Sequence, residues 1–210
     1  MANHVNAYKG VKKIYHAEIA SILAAICMVV VAILGLISPT ETIILVIGGF
    51  AIAAVAMYVI AFILQMLGLE QAGKDHSSFK TAFWIVVFGI VLGIAAGVMQ
   101  ALDDKAYALV GEMMTSVTSL INILVIMFII TGISSLVTDE KFAAKGKNIC
   151  LTMAVVYAIS FSISILTTVC ENAGDTVKIV FGILALLAAL VDLIIYINIF
   201  FYYKKALTLL

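Results

Sequence analysis

Five stretches of this chain run for about the thickness of a bilayer without a single charged residue, at positions 19–37, 42–69, 81–102, 113–138 and 148–170. A membrane-crossing helix needs roughly 20 consecutive, mainly apolar residues. A sixth stretch, 179–203, is equally rich in Ile, Leu, Phe and Ala and is broken by one charge, Asp192. In hydrocarbon every backbone amide has to be satisfied within its own segment or in a closed barrel, and a barrel strand alternates apolar with polar. These runs do not alternate, so the sequence predicts an all-α, polytopic membrane protein of six transmembrane helices arranged as three helical hairpins. Composition agrees: 65% of the 210 residues are hydrophobic and 11% are charged, against about 25% charged in ordinary soluble domains.

The division expected along the chain is a cytoplasmic or interfacial N-terminal segment at 1–18, a six-helix domain at 19–203 and a short cytoplasmic tail at 204–210. In the first segment Tyr8, Val11, Tyr15 and Ile19 recur at helical spacing among Lys and His. That pattern suits either a short helix in the inner interface or a frayed tail. The first apolar run has no convincing small-residue cleavage site behind it and reads as a retained span. Cutting the chain at its lysine-bearing loops leaves three similar helical hairpins, a pattern shared by a threefold repeat and by any six-span topology.

Charge sets the orientation. Lys9, Lys12 and Lys13 precede the first run, Lys74 and Lys80 lie between the second and third, Lys141, Lys145 and Lys147 between the fourth and fifth, and Lys204 and Lys205 follow the sixth. The other loops hold only Lys105 and Lys178, beside Glu41, Asp103, Asp104, Glu112, Glu171 and Asp175. Lysine marks the cytoplasmic side, so both termini are expected there. The chain has no arginine and a formal net charge of zero, which leaves no basic surface for nucleic acid and no guanidinium for bidentate phosphate capture.

Asp192 is the residue with the most chemistry to explain. It sits half-way along its run, where an ionised carboxylate costs about 2.5–3.5 kcal/mol to insert, so it should face the bundle interior, be protonated, or meet a partner. Tyr196 lies one turn away on the same face. Two polar stripes on other spans supply candidate partners: Thr115, Ser119 and Asn122, and Tyr157, Ser160 and Ser164. Such hydroxyls commonly bond their own helix carbonyls, whereas the amide of Asn122 has more groups than its own helix satisfies and should reach another span. Asp192 therefore reads either as a proton-linked or cation-coordinating group in a pocket lined by these residues, or as a protonated acid tying helices together.

Gly89, Gly93 and Gly97 form a GxxxGxxxG series, the signature of close helix packing, and Ala20 and Ala24 form a smaller one. The cysteines, Cys27, Cys150 and Cys170, lack CxxC spacing, and His4, His16 and His76 all lie in loop or flanking segments, so no metal or cofactor is expected. No nucleophile with its base and no pair of catalytic carboxylates is visible, which argues against an enzyme.

The stretches "YKGVKKIYHAEIASILAA", "LEQAGKDHSSFKTAFWIVVFGI" and "DEKFAAKGKNICLTMAVVYAIS" resemble those of uncharacterised six-span integral membrane proteins of Gram-positive bacteria. The resemblance spans most of the chain and implies a bacterial plasma membrane. In size, span number and cytoplasmic termini the chain is also similar to the substrate-binding subunits of energy-coupling-factor transporters, which dock a partner through small residues on the first span. Ala20 and Ala24 match that AxxxA pattern, while the vitamin-binding loops of those subunits have no counterpart here. Three functions fit the sequence: a transport component with a small-solute or ion pocket near Asp192, a non-catalytic interaction or accessory protein bound to a membrane partner, and a homo-oligomeric channel. The stripes are too short for a polar pathway across the whole membrane, which weighs against the channel.

Overall fold

Long apolar segments with one proline, Pro39, have nothing inside them to interrupt a helix. The computed structural model accordingly gives six helices: α1 (Val5–Gly35), α2 (Glu41–Ala72), α3 (Ser77–Ala101), α4 (Lys105–Leu136), α5 (Glu140–Val169) and α6 (Asp175–Leu209). Residues 4–36, 40–102, 105–169 and 175–210 are described, apart from the side chains of 41, 105, 106, 108, 109, 112, 113, 116, 163–169, 175–179, 181, 182, 185, 186 and 189. Among the described residues, five helices are long and apolar enough to cross a membrane, α1 to α5 in whole or in part. Their outward faces are those of a lipid-exposed surface, with Leu45, Ile52, Leu151 and Trp84 each at least 60% exposed.

The chain divides into two compact units, Met1–Trp84 with Leu210 and Ile85–Leu209. The first is an antiparallel hairpin of α1 and α2, closed by a seam of small residues. Gly10 and Gly68 cross so tightly that a Cβ on Gly10 would stand 2.5 Å from the Gly68 carbonyl oxygen, and one on Gly68 2.7 Å from that of Gly10. Seven residues on, Ala17 packs with Ala20 and Ala61 in one buried cluster, with Leu64 against it. A further seven-residue step on each helix reaches Ala24 and Ala54, and both are fully buried. Small residues at a heptad interval, read in opposite directions on the two helices, let the backbones approach closely along several turns.

The seam reaches into the first residues: α1 runs unbroken from Val5, and Ala7, Gly10, Val11 and Ile14 are buried on the same face as Ala17, Ala20 and Ala24. Of the pattern Tyr8, Val11, Tyr15, Ile19, only Val11 lies on the buried face; the other three are half-buried beside it. Thirty-one residues span roughly 46 Å at 1.5 Å per residue, about half as long again as the hydrocarbon core.

The N-terminus of α1 has no cap from its own N-cap residue, His4. Its first-turn N–H groups are met from the α2–α3 connection: Asp75 accepts hydrogen bonds from the Ala7 backbone N–H (2.7 Å) and from the Asn6 side chain (2.9 Å). An anion at a helix N-terminus satisfies orphan donors and complements the helix dipole. Partial burial pushes the Asp75 carboxyl up, but the hydrogen bonds from the Asn6 side chain and the Ala7 and Asn6 backbones, with the nearby His4, outweigh it and hold the group below its ordinary value.

In the second unit α5 is capped locally, Asp139 accepting from the Phe142 N–H at 3.1 Å. Glycine again permits close approach, at positions the GxxxGxxxG series did not single out. A Cβ on Gly111 would stand 2.6 Å from Gln100 Cγ and 3.0 Å from the Ala96 carbonyl, and one on Gly146 would stand 2.5 Å from the Tyr202 hydroxyl. Within the series only Gly89 packs among the described residues, 2.9 Å from Ile121 Cγ2 by the same measure; a Cβ on Gly93 or Gly97 would meet no described atom within 4 Å beyond its own stretch of helix. Three glycines on one stripe packed along their length require a partner that follows the stripe. Among the described residues α4 does so at Gly89 alone.

Candidate functional site

Three helices of the second unit turn regularly spaced residues toward one point. Ile123 and Ile126 come from α4, Met153, Tyr157 and Ser160 from α5, and Asp192, Ile195, Tyr196 and Ile199 from α6; together they line a cavity of about 260 Å³. The intervals are those of a single helical face on each element. Among the described residues the walls are five apolar side chains and four polar ones, and Asp192, itself exposed, is the sole charged one. It lies half-way along the 35-residue α6.

The polar residues differ in how far their own helices satisfy them. On α5, Thr152 donates to the Asn148 carbonyl at 2.9 Å and Ser162 to the Ala158 carbonyl at 2.8 Å, the usual back-bonding of a hydroxyl in a membrane helix. Ser160 does not follow suit: its Oγ is buried and has no hydrogen-bond partner among the described residues. A buried hydroxyl left unmet costs about 1–3 kcal/mol, so such a group calls for an explanation at its site. Tyr157 is stacked on Phe161, ring centroids 6.1 Å apart at 17°.

The sequence stripes thus divide. Asp192, Tyr196, Tyr157 and Ser160 share the cavity, and the side chain of Ser164 lies outside the described residues. Asn122 and Ser119 do not line the cavity. Both are exposed, Ser119 bonding its hydroxyl back to the Thr115 carbonyl at 3.3 Å. The face of α4 turned to the cavity is Ile123 and Ile126, and Asn122 sits about 100° round the helix from Ile123. Thr115 makes a different contact, donating to the Gly111 carbonyl at 2.9 Å and accepting from the Gln100 amide at 3.1 Å. Ala20 and Ala24 belong to the first unit, where they are buried in α1. The walls Ile123, Ile126, Met153, Ile195 and Ile199 were invisible to a search for chemistry-bearing residues, although their spacing from Tyr157 and Asp192 is a helical face.

A larger cavity, of about 340 Å³, opens between the end of α4 and the start of α5, lined by Thr131, Ser134, Ser135, Gly146, Lys147 and Cys150 among others. Its hydroxyls are already engaged. Thr131 donates to the Met127 carbonyl (2.7 Å), Ser135 to the Thr131 carbonyl (2.9 Å), and Ser134 is paired with the Tyr202 hydroxyl (2.8 Å). The Tyr202 ring stacks on Phe142 with centroids 4.3 Å apart, and Lys205 Nζ stands 5.8 Å from the Phe142 centroid. This is a consolidated helix junction with spare volume. The smaller cavity holds the charge at mid-helix and the unmet hydroxyl, and on chemistry it is the stronger candidate.

Comparison with protein-family models, curated proteins and solved structures returned no match.

Proposed function

We propose that the chain is a six-span component of a bacterial plasma membrane, with both termini in the cytoplasm, that handles a small solute or ion in the cavity at Asp192. One observation carries the reading: a mid-helix carboxylate, two tyrosines and a buried, unmet serine hydroxyl line a single space of about 260 Å³. A carboxylate at membrane depth is rare and costly, and ordinarily marks a substrate, ion or proton pathway. The sixth crossing is α6, and the orientation follows from the ten lysines assigned to one side and two to the other. Similarity to six-span proteins of Gram-positive bacteria, drawn from the sequence stretches quoted above, underlies the choice of membrane.

The test is native mass spectrometry of the protein released gently from its own membrane, paired with uptake into cells expressing either the wild type or Asp192→Asn. A bound small molecule that disappears in Asp192→Asn, with uptake lost and helical content unchanged by circular dichroism, is the expected result. A ligand-free wild type that co-purifies stoichiometrically with another polypeptide overturns the reading in favour of an accessory protein. Uptake unaffected by Asp192→Asn overturns it as well.

A further inference from the structure

The walls of the Asp192 cavity restrict what could occupy it, and on that basis, resting on the reading of the cavity as a ligand site, we infer that its ligand is a small protonated organic amine. Charge is the first restriction. Among the described residues Asp192, whose side chain is exposed, is the sole charged one lining the cavity, so an anion meets repulsion there and a neutral solute offers the carboxylate no counter-charge. A cation supplies the missing partner.

Size and wall chemistry separate organic cations from metal ions. A hard cation stripped of water needs a shell of oxygens, six to eight in the case of calcium. Among the described residues the cavity is lined by Asp192, Ser160, Tyr157 and Tyr196, and otherwise by Ile123, Ile126, Met153, Ile195 and Ile199. Those five side chains have nothing to offer a bare ion, and they are the right surface for a hydrocarbon body. A cavity of 150 Å³ already accepts benzene, so about 260 Å³ takes a ring or short chain together with its amino group.

The polar groups suit an ammonium with N–H bonds. A carboxylate gives a charge-assisted acceptor, tyrosine gives both a hydroxyl oxygen and a ring face that attracts cations, and the unmet Ser160 Oγ gives a further acceptor. The binding step is non-covalent and needs no co-reactant.

The experiment uses the full chain in lipid nanodiscs and measures binding calorimetrically for matched pairs: benzylamine against benzyl alcohol, and butylamine against butanol, with sodium chloride as the bare cation. Amines should bind at least tenfold more tightly than their alcohols, and sodium should not compete. Asp192→Asn should erase the preference, and Ser160→Ala should weaken the amines several-fold with little effect on the alcohols. Alcohols binding as well as amines, or a retained native ligand that proves neutral or anionic by mass, overturns the amine class while leaving the cavity a ligand site. Amine binding unchanged in Asp192→Asn, or no binding by any amine with no retained ligand, overturns both.

Discussion

The α1–α2 hairpin and the α4–α6 helices use the same apolar alphabet for opposite ends. In the hairpin the contact is made by Gly10, Ala17, Ala24 and their counterparts Ala54, Ala61 and Gly68, residues with almost no side chain to adjust and no space left between them. Among α4, α5 and α6 the contacts are larger and more varied, and they leave room for the cavities at Asp192 and Lys147. Water drives no helices together inside a bilayer, so association depends on how closely surfaces fit. A seam of small residues gives a fit that is tight and rigid. Long and polar side chains give a looser one, with room for something else.

The sharpest way to break that contrast is to add bulk to the seam. Gly68→Val places methyl groups against the Gly10 carbonyl and Ile14, and should cost about 3 kcal/mol, at the upper end for overpacking. Unfolding of the purified protein in graded sodium dodecyl sulfate reads this directly, and an unchanged midpoint would falsify the close crossing. Gly146→Ala tests the second unit in the same assay. The new methyl must displace the Tyr202 hydroxyl from Ser134, and a loss of about 1–2 kcal/mol is expected, smaller because a side chain yields where a backbone does not.

Asp75 gives a smaller effect with a distinctive pH signature. Replacing a helix cap costs typically about 1 kcal/mol, so Asp75→Asn should speed amide hydrogen exchange at the start of α1 at neutral pH. Because the folded carboxyl sits below its ordinary value, its stabilisation is complete above the ordinary carboxylate range. It begins to fall away below that range and is gone once the pH passes below the folded value. The wild type should therefore converge on the variant only in strong acid, and a difference that vanished near neutrality would refute the cap. Smallest of all, Gly93→Ala should be neutral or stabilising by up to about 1 kcal/mol, since no described atom contacts that position and alanine is the better helix former. Appreciable destabilisation would reveal a partner seated on that stripe.

Hydropathy made the helices legible because a bilayer imposes a length: each apolar run falls on one of the six helices, five of which are long and apolar enough to cross a membrane among the described residues. It carried little about which way each helix faces. Where nearly every residue is apolar, polar spacing alone does not tell which face of α4 meets the Asp192 cavity, and its described wall there is Ile123 and Ile126, not Asn122 or Ser119. Asp192 and Tyr196 fared differently because their spacing is fixed on one helix, and Tyr157 and Ser160 because theirs is fixed on another; what brought the two pairs together was packing between α5 and α6. The heptads of the seam were present in the sequence but consist of glycine and alanine, which look like background in an alanine-rich chain. The pairing of Ser134 with Tyr202, 68 residues apart, left no local trace at all.

The cap on α1 also bears on the order in which the protein is made. The residue that completes the first helix is Asp75, which follows the whole of the second, so a ribosome must deliver some seventy further residues before the beginning of α1 can close. Until then the first segment waits in the membrane with open donors at its end and half of its seam missing. The start of α1 therefore reaches its final state only once α2 is in place, and the two helices are completed as a pair.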